Sequence, residues 1–291
     1  MTVFVTGATG YIGRVVVRAL CTAGYEVHGL ARSPLAEAKL RADGGEVVRG
    51  SLTDLPVLAR AARAADAVIH LGATGDAEQA EVDTAAVSAM LNAVEGSGKR
   101  FVYTSGIWVL GSTGNDVADE DAPLDPTPIV AWRAGVEGTM REAADWGLRP
   151  VVLRPAVVYG RGGGTPGTFV ASARKKGVVR YVGDGTQRWP FVHVDDLAEL
   201  YVLALEASSG TVLNAAAGPS LRVREVAETA AEANGAEAEA WPLEDARERL
   251  GPYADALALD QQVSSRRALA FGWNPSRPSV LDELRTGSYT G

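Results

Sequence analysis

Apolar and polar positions in the first part of the chain alternate between two rhythms, one typical of buried strands and one of amphipathic helices. Residues 3–5 (VFV) form a continuous apolar run that ends at Thr6-Gly7, as a buried parallel strand does. From Tyr11 onward, apolar residues recur at helical spacing as far as Gly24, which indicates a helix that a glycine ends. By the same reasoning, further strands are predicted at 25–30, 46–48, 67–71, 100–104 and 151–153. Thr53-Asp54 is a predicted cap for a helix that continues through Leu58 and Ala62. Further helices are predicted at 78–95, 130–146, 196–206 and 223–234.

This alternation of strands and helices predicts an α/β protein with a doubly wound parallel sheet, the Rossmann fold. After Gly160 the pattern changes to short apolar pieces separated by turns rich in proline and glycine. We therefore expect a Rossmann domain over residues 1–160, to which segments around 186–215 return. Residues 161–185 and 216–291 are expected to form a small C-terminal substrate-binding lobe.

Length, composition and charge narrow the class of protein. The chain has 291 residues, of which 46% are hydrophobic and 22% are charged, and these proportions argue against disordered, collagen-like and coiled-coil proteins. The formal net charge of −8 at pH 7 disfavours nucleic acid and membrane surfaces as partners, because both are anionic. The single cysteine, Cys21, is unable to form an internal disulfide, and the sequence shows neither a signal-peptide pattern nor a membrane-spanning apolar run, so we expect a cytoplasmic protein.

The cysteine and histidine residues give no reason to expect a metal site. His28, His70 and His193 fall within or beside apolar strand-like runs, and Cys21 lies in a helical apolar pattern. The spacing of these residues matches no cluster of metal ligands.

A glycine-rich loop, residues 6–13 (TGATGYIG), joins the first predicted strand to the first predicted helix. Glycine permits a tight turn, a close approach of a pyrophosphate to the backbone, and close packing of the helix on the strand. The N-terminus of the helix adds N–H groups and positive potential for the phosphates. The loop therefore predicts a dinucleotide site with contacts from Gly7, Thr9, Gly10, Tyr11, Ile12 and Gly13.

The end of the second predicted strand bears on the choice between NAD and NADP. NAD-binding proteins usually carry an acidic residue there, which holds the ribose 2′-hydroxyl. In this chain residues 29–33 read GLARS, so the position has no carboxylate, and Arg32 offers a charge-assisted contact for a 2′-phosphate. We therefore expect NADP(H) as the cofactor, with NAD as the less favoured choice.

Several further motifs extend over nearly the whole chain: 68–73 (VIHLGA), 101–105 (FVYTS), 153–160 (LRPAVVYG), 183–185 (GDG) and 191–198 (FVHVDDLA). Together with the glycine loop they resemble the extended short-chain dehydrogenase/reductase superfamily, and within it the NAD-dependent epimerase/dehydratase family. The resemblance implies a small-molecule substrate. It also implies a homodimer built through the helices at 78–95 and 130–146.

The resemblance implies further cofactor contacts near the ends of several strands. By position they are Ser51 and Leu52 beside the adenine, Leu71, Gly72 and Ala73 beside the ribose and phosphates, and Pro155 and Val158 beside the nicotinamide.

The catalytic positions of the family are mostly altered in this chain. Members of the family use a Tyr and, four residues later, a Lys on one helix, together with a Ser or Thr after the fifth strand. Here Ile129 stands at the Tyr position, Arg133 at the Lys position and Gly106 at the hydroxyl position. Ile129 has no proton to exchange, whereas Arg133, which is always charged, is able to bind ribose hydroxyls or a substrate anion.

Residues beside the altered positions are candidates for the missing chemistry. Ser105 ends the fifth strand, where it either contacts a ligand or caps the strand. Trp108 and Trp132 either form the wall of a substrate pocket or pack in the core. Glu120 and Asp121 are alternative acids or bases, or else capping or solvated carboxylates.

Three residues in the later part of the chain complete the set of candidates. Arg188 binds an anionic substrate group or pairs with Asp184 or Asp195. Tyr159 reads as a packing residue with a polar tip, and His193 as a structural histidine in preference to a general base.

The sequence thus favours an NADP(H)-dependent oxidoreductase acting on a small organic carbonyl or enone. In this hypothesis Arg133 holds the ribose or the substrate, and Ser105 or water relays the proton. Two alternatives remain open: an isomerase, epimerase, dehydratase or cyclase with no net redox change, and a non-catalytic NADP-sensing protein.

Overall fold

The computed structural model describes residues 1–290. Within this range the strands are β1 Thr2–Thr6, β2 Glu26–Ala31, β3 Glu46–Arg49, β4 Ala67–His70, β5 Arg100–Thr104, β6 Arg149–Pro155, β7 Val157–Gly160, β8 Val178–Val182, β9 Arg188–Trp189, β10 Phe191–His193, β11 Thr211–Ala215, β12 Leu221–Arg222 and β13 Glu237–Trp241. The helices are α1 Tyr11–Thr22, α2 Pro34–Ala42, α3 Leu55–Ala64, α4 Gln79–Val94, α5 Ala131–Glu142, α6 Gly164–Lys176, α7 Val194–Ala204, α8 Val223–Glu232, α9 Leu243–Leu250, α10 Tyr253–Leu257, α11 Arg266–Ala270 and α12 Val280–Thr286. Short 3-10 turns cover Ile107–Leu110 and Pro128–Val130.

Seven strands form one sheet in the order β11-β6-β5-β4-β1-β2-β3. β1 pairs in parallel with both β2 and β4, so that Val3 lies opposite Val27 on one side and Ala67 on the other. β3, β5 and β6 continue the parallel pairing outward. Every residue of β4 is buried, as expected for a strand whose sheet is covered by helices on both faces. The sheet confirms the predicted fold class, an α/β protein of the Rossmann type.

The chain packs into two compact units. The first contains residues 1–105, 132–154 and 198–213, and the second contains residues 106–131, 155–197 and the chain from 214 onward. The predicted domains divide the chain at other points, since 106–131 and 155–160 belong to the second unit. The boundaries of the domains therefore stay a prediction.

Each unit has its own hydrophobic core. The core of the first unit packs large side chains of the sheet against α3, α4 and α5, and includes Phe4, Leu58, Met90, Phe101 and Met140. The core of the second unit packs α6, α8 and α12 around short paired strands, and includes Tyr159, Phe169, Trp189, Val226 and Leu284.

The structure differs from the predicted elements in the bounds of some helices and in elements that were not predicted, among them α2, α6 and the short strands after Pro155. Helix α5 is shorter than the helix predicted at 130–146. Pro128 begins a 3-10 turn that ends just before α5, and the helix itself ends at Glu142. Asp54 precedes α3 as predicted, but its carboxylate accepts hydrogen bonds from the N–H and Oγ of Ser51 (2.7 and 2.9 Å). Helix α2 has no counterpart among the predicted elements. Ser33 caps it by accepting the N–H of Ala36.

Candidate cofactor and active site

The glycine loop between β1 and α1 approaches the backbone after β4 very closely. Gly7 has φ +66°, and a Cβ there would lie 2.6 Å from the carbonyl carbon and oxygen of Leu71. A Cβ at Gly13 would lie only 2.0 Å from the carbonyl oxygen of Gly7. Because these contacts are all with backbone atoms, the two positions accept no residue larger than glycine. We call this space the cradle; it is the predicted position of the pyrophosphate.

Helix α1 begins directly above this loop. The N–H of Gly10 donates to the carbonyl oxygen of Gly7 (3.0 Å), and the N–H of Arg14 donates to that of Gly10 (3.1 Å). These bonds fix the start of α1 against the loop, and because the N–H groups of a helix point toward its N-terminus, the first turn directs the positive end of the helix dipole toward the loop. Such a helix N-terminus binds phosphate groups.

Among the residues predicted beside the adenine and the ribose, Leu52 and Gly72 lie close together in the first unit. A Cβ at Gly72 would lie 2.6 Å from Cδ2 of Leu52, so the Leu52 side chain covers the backbone after β4. Ser51 donates its hydroxyl to Asp54, and Ala73 is exposed next to Gly72.

A cleft of about 230 Å³ lies at the carboxyl end of β2, where sequence reasoning places the 2′ position of the ribose. Arg32 is exposed and lines the cleft together with Ser33, the cap of α2. Within residues 1–290 the Arg32 guanidinium has no hydrogen-bond partner. The cleft also contains Glu37 and Arg49, which sequence reasoning missed because it considered only the residues adjoining β2.

Behind the cradle, a buried hydrogen-bond network extends from β1 to α4. Thr6 Oγ1 accepts the N–H groups of Leu71 (3.2 Å) and Gly72 (3.1 Å), so its own proton is directed to His70 Nδ1 (2.8 Å). His70 therefore carries its proton on Nε2 and donates it to Asp83 Oδ1 (2.9 Å).

Asp83 is the centre of this network. Its Oδ2 accepts the hydroxyl of Tyr103 (2.8 Å) and the indole N–H of Trp132 (2.9 Å). Burial acts to raise the pKa of Asp83, but the hydrogen bonds from His70 and Trp132 outweigh burial and hold the pKa below its usual range. Burial raises the pKa of Tyr103 far above its usual range, so the phenol stays protonated.

Arg133 is attached to the same network from the first turn of α5. Its Nη1 donates to the carbonyl oxygen of Thr104 (2.6 Å) and to Tyr103 Oη (3.3 Å). Its Cζ lies 5.0 Å from the centre of the Trp132 ring. Within the described chain, Nε and Nη2 have no hydrogen-bond partner. Arg133 is therefore anchored at the end of β5 with two nitrogens available to a ligand.

Ser105, the residue after β5, is buried and holds an unpaired hydroxyl. Its N–H donates to the carbonyl oxygen of Leu153 (2.8 Å), while Oγ has no hydrogen-bond partner among residues 1–290. A buried hydroxyl of this kind costs about 1–3 kcal/mol, which a polar ligand group would offset.

Gly106, which the resemblance places at the hydroxyl position, directly precedes the 3-10 turn Ile107–Leu110. Gly106 is extended (φ 174°), and a Cβ there would have a single neighbour, the carbonyl oxygen of Pro155 at 3.9 Å, among the described residues. The space around Gly106 would therefore accept a side chain such as serine, so sterics do not require glycine at this position. Ile129 lies in the 3-10 turn that precedes α5.

The remaining candidates belong to the second unit. Trp108 packs edge-on against Tyr253, with ring centres 5.9 Å apart. Pro155 ends β6, and Val158 lies in β7. Arg188 forms a two-point ion pair with Asp260 (2.9 and 2.7 Å), and thus pairs with neither of the two aspartates considered from sequence.

Three other polar residues of the second unit have internal partners. Glu120 is 6% exposed and accepts the N–H of Asn214, so it is not a solvated carboxylate. The hydroxyl of Tyr159 donates to the carbonyl oxygen of Pro278 (2.8 Å). His193 Nδ1 accepts the N–H of Asp195, and burial lowers the pKa of the imidazole. These contacts agree with packing and structural roles for Tyr159 and His193.

Two absences complete the description of residues 1–290. They contain no group of three or more His, Cys, Asp or Glu side chains placed to hold a metal ion. None of their helices combines the length and the apolar character that crossing a membrane requires.

Comparisons with known proteins cover the whole chain. Residues 3–216 match the model of the NAD dependent epimerase/dehydratase family. An uncharacterized protein of Saccharomyces cerevisiae is 34% identical over 98% of this chain and 98% of its own. A 2-alkyl-3-oxoalkanoate reductase of Stenotrophomonas maltophilia is 32% identical over 71% of this chain and 66% of its own. The structure of a UDP-glucose 4-epimerase of Thermus thermophilus in complex with NAD aligns with a TM-score of 0.82 at 25% identity, over 100% of this chain and 98% of that one.

Proposed function

Because the chain belongs to the NAD dependent epimerase/dehydratase family, we propose that it is an NADP(H)-dependent oxidoreductase for a small organic carbonyl or enone substrate. Membership of the family confirms the resemblance that the motifs carry. It also confirms the predicted enzyme class, an NAD(P)-dependent oxidoreductase or epimerase/dehydratase. The cofactor preference, the substrate and the catalytic residues are the proposal.

The residues of the first unit fit a dinucleotide. Gly7 and Gly13 leave space that a Cβ would fill, and α1 presents its N-terminus to that space. Leu52 lies against Gly72, where the motifs predict the adenosine. When bound, the nicotinamide supplies or accepts the hydride.

Arg32 carries the preference for NADP(H). It is exposed in the cleft at the end of β2, beside the capped N-terminus of α2, with its guanidinium available. A guanidinium at this point pairs with a 2′-phosphate, and a helix N-terminus adds to the attraction.

Replacing Arg32 with alanine is expected to weaken NADPH binding about 10- to 100-fold while leaving NADH binding nearly unchanged, because only NADPH carries the 2′-phosphate. Titration of nucleotide fluorescence measures both affinities. Arg63→Ala, at an exposed position in the last turn of α3, is the matched control. Equal losses for the two nucleotides would assign Arg32 to the common part of the cofactor.

The buried, unpaired hydroxyl of Ser105 is the observation that carries the proposed reaction. It stands at the carboxyl end of β5, next to the Thr104 carbonyl that Arg133 holds. Reduction of a carbonyl group needs a hydride at carbon and a proton at oxygen. We assign to Ser105 the delivery of that proton, relayed from water, and to Arg133 the binding of the ribose or of a substrate anion. The relative named as a 2-alkyl-3-oxoalkanoate reductase supports a carbonyl substrate.

A screen of carbonyl and enone compounds, followed by the absorbance of reduced nicotinamide, tests this assignment. We expect Ser105→Ala to lower kcat about 100-fold or more with a smaller change in KM, as loss of a proton relay does. Arg133→Ala is expected mainly to raise KM for substrate or cofactor. Arg133→Lys, which keeps the positive charge, is expected to raise KM less. Trp146→Phe, which alters the core rather than the site, is the control.

Other results of the same screen would favour the alternatives. Conversion of a substrate with no net change in cofactor would indicate an isomerase, epimerase, dehydratase or cyclase. Saturable NADPH binding with no conversion of any compound would indicate a sensing protein.

A further inference from the structure

The cleft at the end of β2 contains a carboxylate that comes from helix α2 instead of from the strand. Glu37 lies in the first turn of α2, is 8% exposed and lines the cleft with Arg32. An ionised carboxylate in this position would bind the ribose 2′-hydroxyl of NAD and repel the 2′-phosphate of NADP. Taken alone, Glu37 contradicts the preference that Arg32 indicates.

Arg49 resolves this conflict. It is the last residue of β3 and holds Glu37 at two points, Nε to Oε1 at 2.8 Å and Nη2 to Oε2 at 3.2 Å. The hydrogen bond from Arg49 lowers the pKa of Glu37, so the carboxylate stays charged and the pair stays intact. Both oxygens of Glu37 are thereby turned toward Arg49.

The same pairing leaves Arg49 in reach of a ligand. Its side chain is 78% exposed, and in the described chain its Nη1 has no partner. Arg41 also contacts Glu37 Oε2 (3.3 Å), but it does not line the cleft. The other carboxylate of the cleft, Asp54, is held by Ser51. The surface left for a ligand beside Arg32 is therefore cationic.

We propose that Arg49 is a specificity-determining residue, which masks the Glu37 carboxylate and, with Arg32, presents a second guanidinium to the 2′-phosphate of NADP(H). This inference rests on the proposed NADP(H) preference. It adds to Arg32 a second determinant of the preference, the ion pair between Glu37 on α2 and Arg49 on β3. Removing Arg49 deletes a cation and also exposes a carboxylate oxygen of Glu37. Both changes are expected to weaken the binding of NADPH.

Binding of NADPH and NADH to the full chain, measured by calorimetry, tests the proposal without reference to turnover. We expect Arg49→Ala to weaken NADPH binding about 30-fold or more and to leave NADH binding equal or tighter, since Glu37 Oε1, which Arg49 alone holds, then accepts a ribose hydroxyl. Glu37→Gln alone is expected to change NADPH affinity by less than about threefold. The double variant Arg49→Ala/Glu37→Gln should recover at least about tenfold of the loss, because no carboxylate remains to repel the phosphate.

Three controls separate this inference from simpler ones. Arg41→Ala removes a partner of Glu37 outside the cleft and should leave both affinities unchanged. Arg49→Lys, which keeps the charge but loses the two-point geometry, should fall between the wild type and Arg49→Ala. Thermal melts of every variant identify losses that come from unfolding.

The outcomes also separate failure of this inference from failure of the proposed function. If Arg32→Ala abolishes the NADPH preference but Arg49→Ala does not, or if the double variant recovers nothing, the role of Arg49 is wrong and the NADP(H) preference stands. If the wild type binds NADH more tightly than NADPH, the proposed preference itself is wrong.

Discussion

Replacing Gly13 with alanine is expected to abolish the binding of both NADPH and NADH. A Cβ at this position would lie 2.0 Å from the carbonyl oxygen of Gly7, 2.8 Å from its carbonyl carbon and 3.0 Å from Cα of Ala8. Because all three are backbone atoms, the clash is relieved only by moving α1 away from the loop. That movement opens the cradle and displaces the N-terminus of the helix, so we expect a loss of affinity of about 100-fold or more.

Nucleotide titration and thermal melting of a graded series measure this effect. Gly10→Ala should be milder than Gly13→Ala, since its Cβ would lie 3.3 Å from the Gly7 carbonyl oxygen. Gly138→Ala is the matched control: Gly138 lies within α5, where a Cβ meets no described atom within 4 Å, and alanine should stabilise the helix by about 0.5–1 kcal/mol. Binding by Gly13→Ala within about threefold of the wild type would show that the loop is not the cradle.

The parts of this molecule that the sequence predicts well are those determined by neighbouring residues. β5 has the predicted ends and β1 extends one residue beyond the predicted run on each side, because a short apolar run between turn residues specifies a buried strand locally. The close approach of Gly13 to the Gly7 carbonyl oxygen is local in the same sense, whereas the approach of Gly7 to Leu71 follows from the pairing of β1 with β4. The role of the loop in binding a cofactor stays a prediction. The homodimer, which the resemblance implies, stays a prediction.

The contacts that sequence reasoning missed join residues far apart in the chain. Arg188 pairs with Asp260, 72 residues later, and no local pattern distinguishes this aspartate from Asp184 or Asp195. Glu37 enters the cleft at the end of β2 from α2, although the rule for an acid after β2 considers the strand alone. In each case the partner is selected by the packing of separate elements, which a single sequence does not show.

For Asp83 a signal was present in the sequence. The buried residues of α4 include Ala86, Met90 and Val94, and Asp83 continues this stripe at the spacing of a helical turn. A carboxylate on the apolar side of a helix requires partners, because an unpaired buried charge is costly. The identity of those partners follows only from the fold, which brings β4, β5 and α5 together at this helix.

Replacing Asp83 with alanine is expected to lower the free energy of unfolding by about 3–5 kcal/mol, since it leaves the donors of His70, Tyr103 and Trp132 without their acceptor. Asp83→Asn retains one acceptor oxygen and should cost less. Glu81→Ala, an exposed acid in the first turn of the same helix, should change stability by less than about 0.5 kcal/mol. Urea unfolding at neutral pH measures the three variants.

The pH dependence of the free energy of unfolding distinguishes the stabilisation that comes from the charge of Asp83 from the stabilisation that comes from the space its side chain fills. Although burial alone would raise its pKa, hydrogen bonds from His70 and Trp132 hold the folded pKa below the unfolded value. The stabilisation from the carboxylate is therefore complete above the unfolded pKa of about 4 and is lost as the pH falls through the folded pKa. We expect the gap in stability between the wild type and Asp83→Asn to be constant near neutral pH and to narrow below about pH 4. A gap that stays the same down to acid unfolding would mean that Asp83 stabilises the fold by filling space, and that Tyr103 and Arg133 are positioned by packing alone.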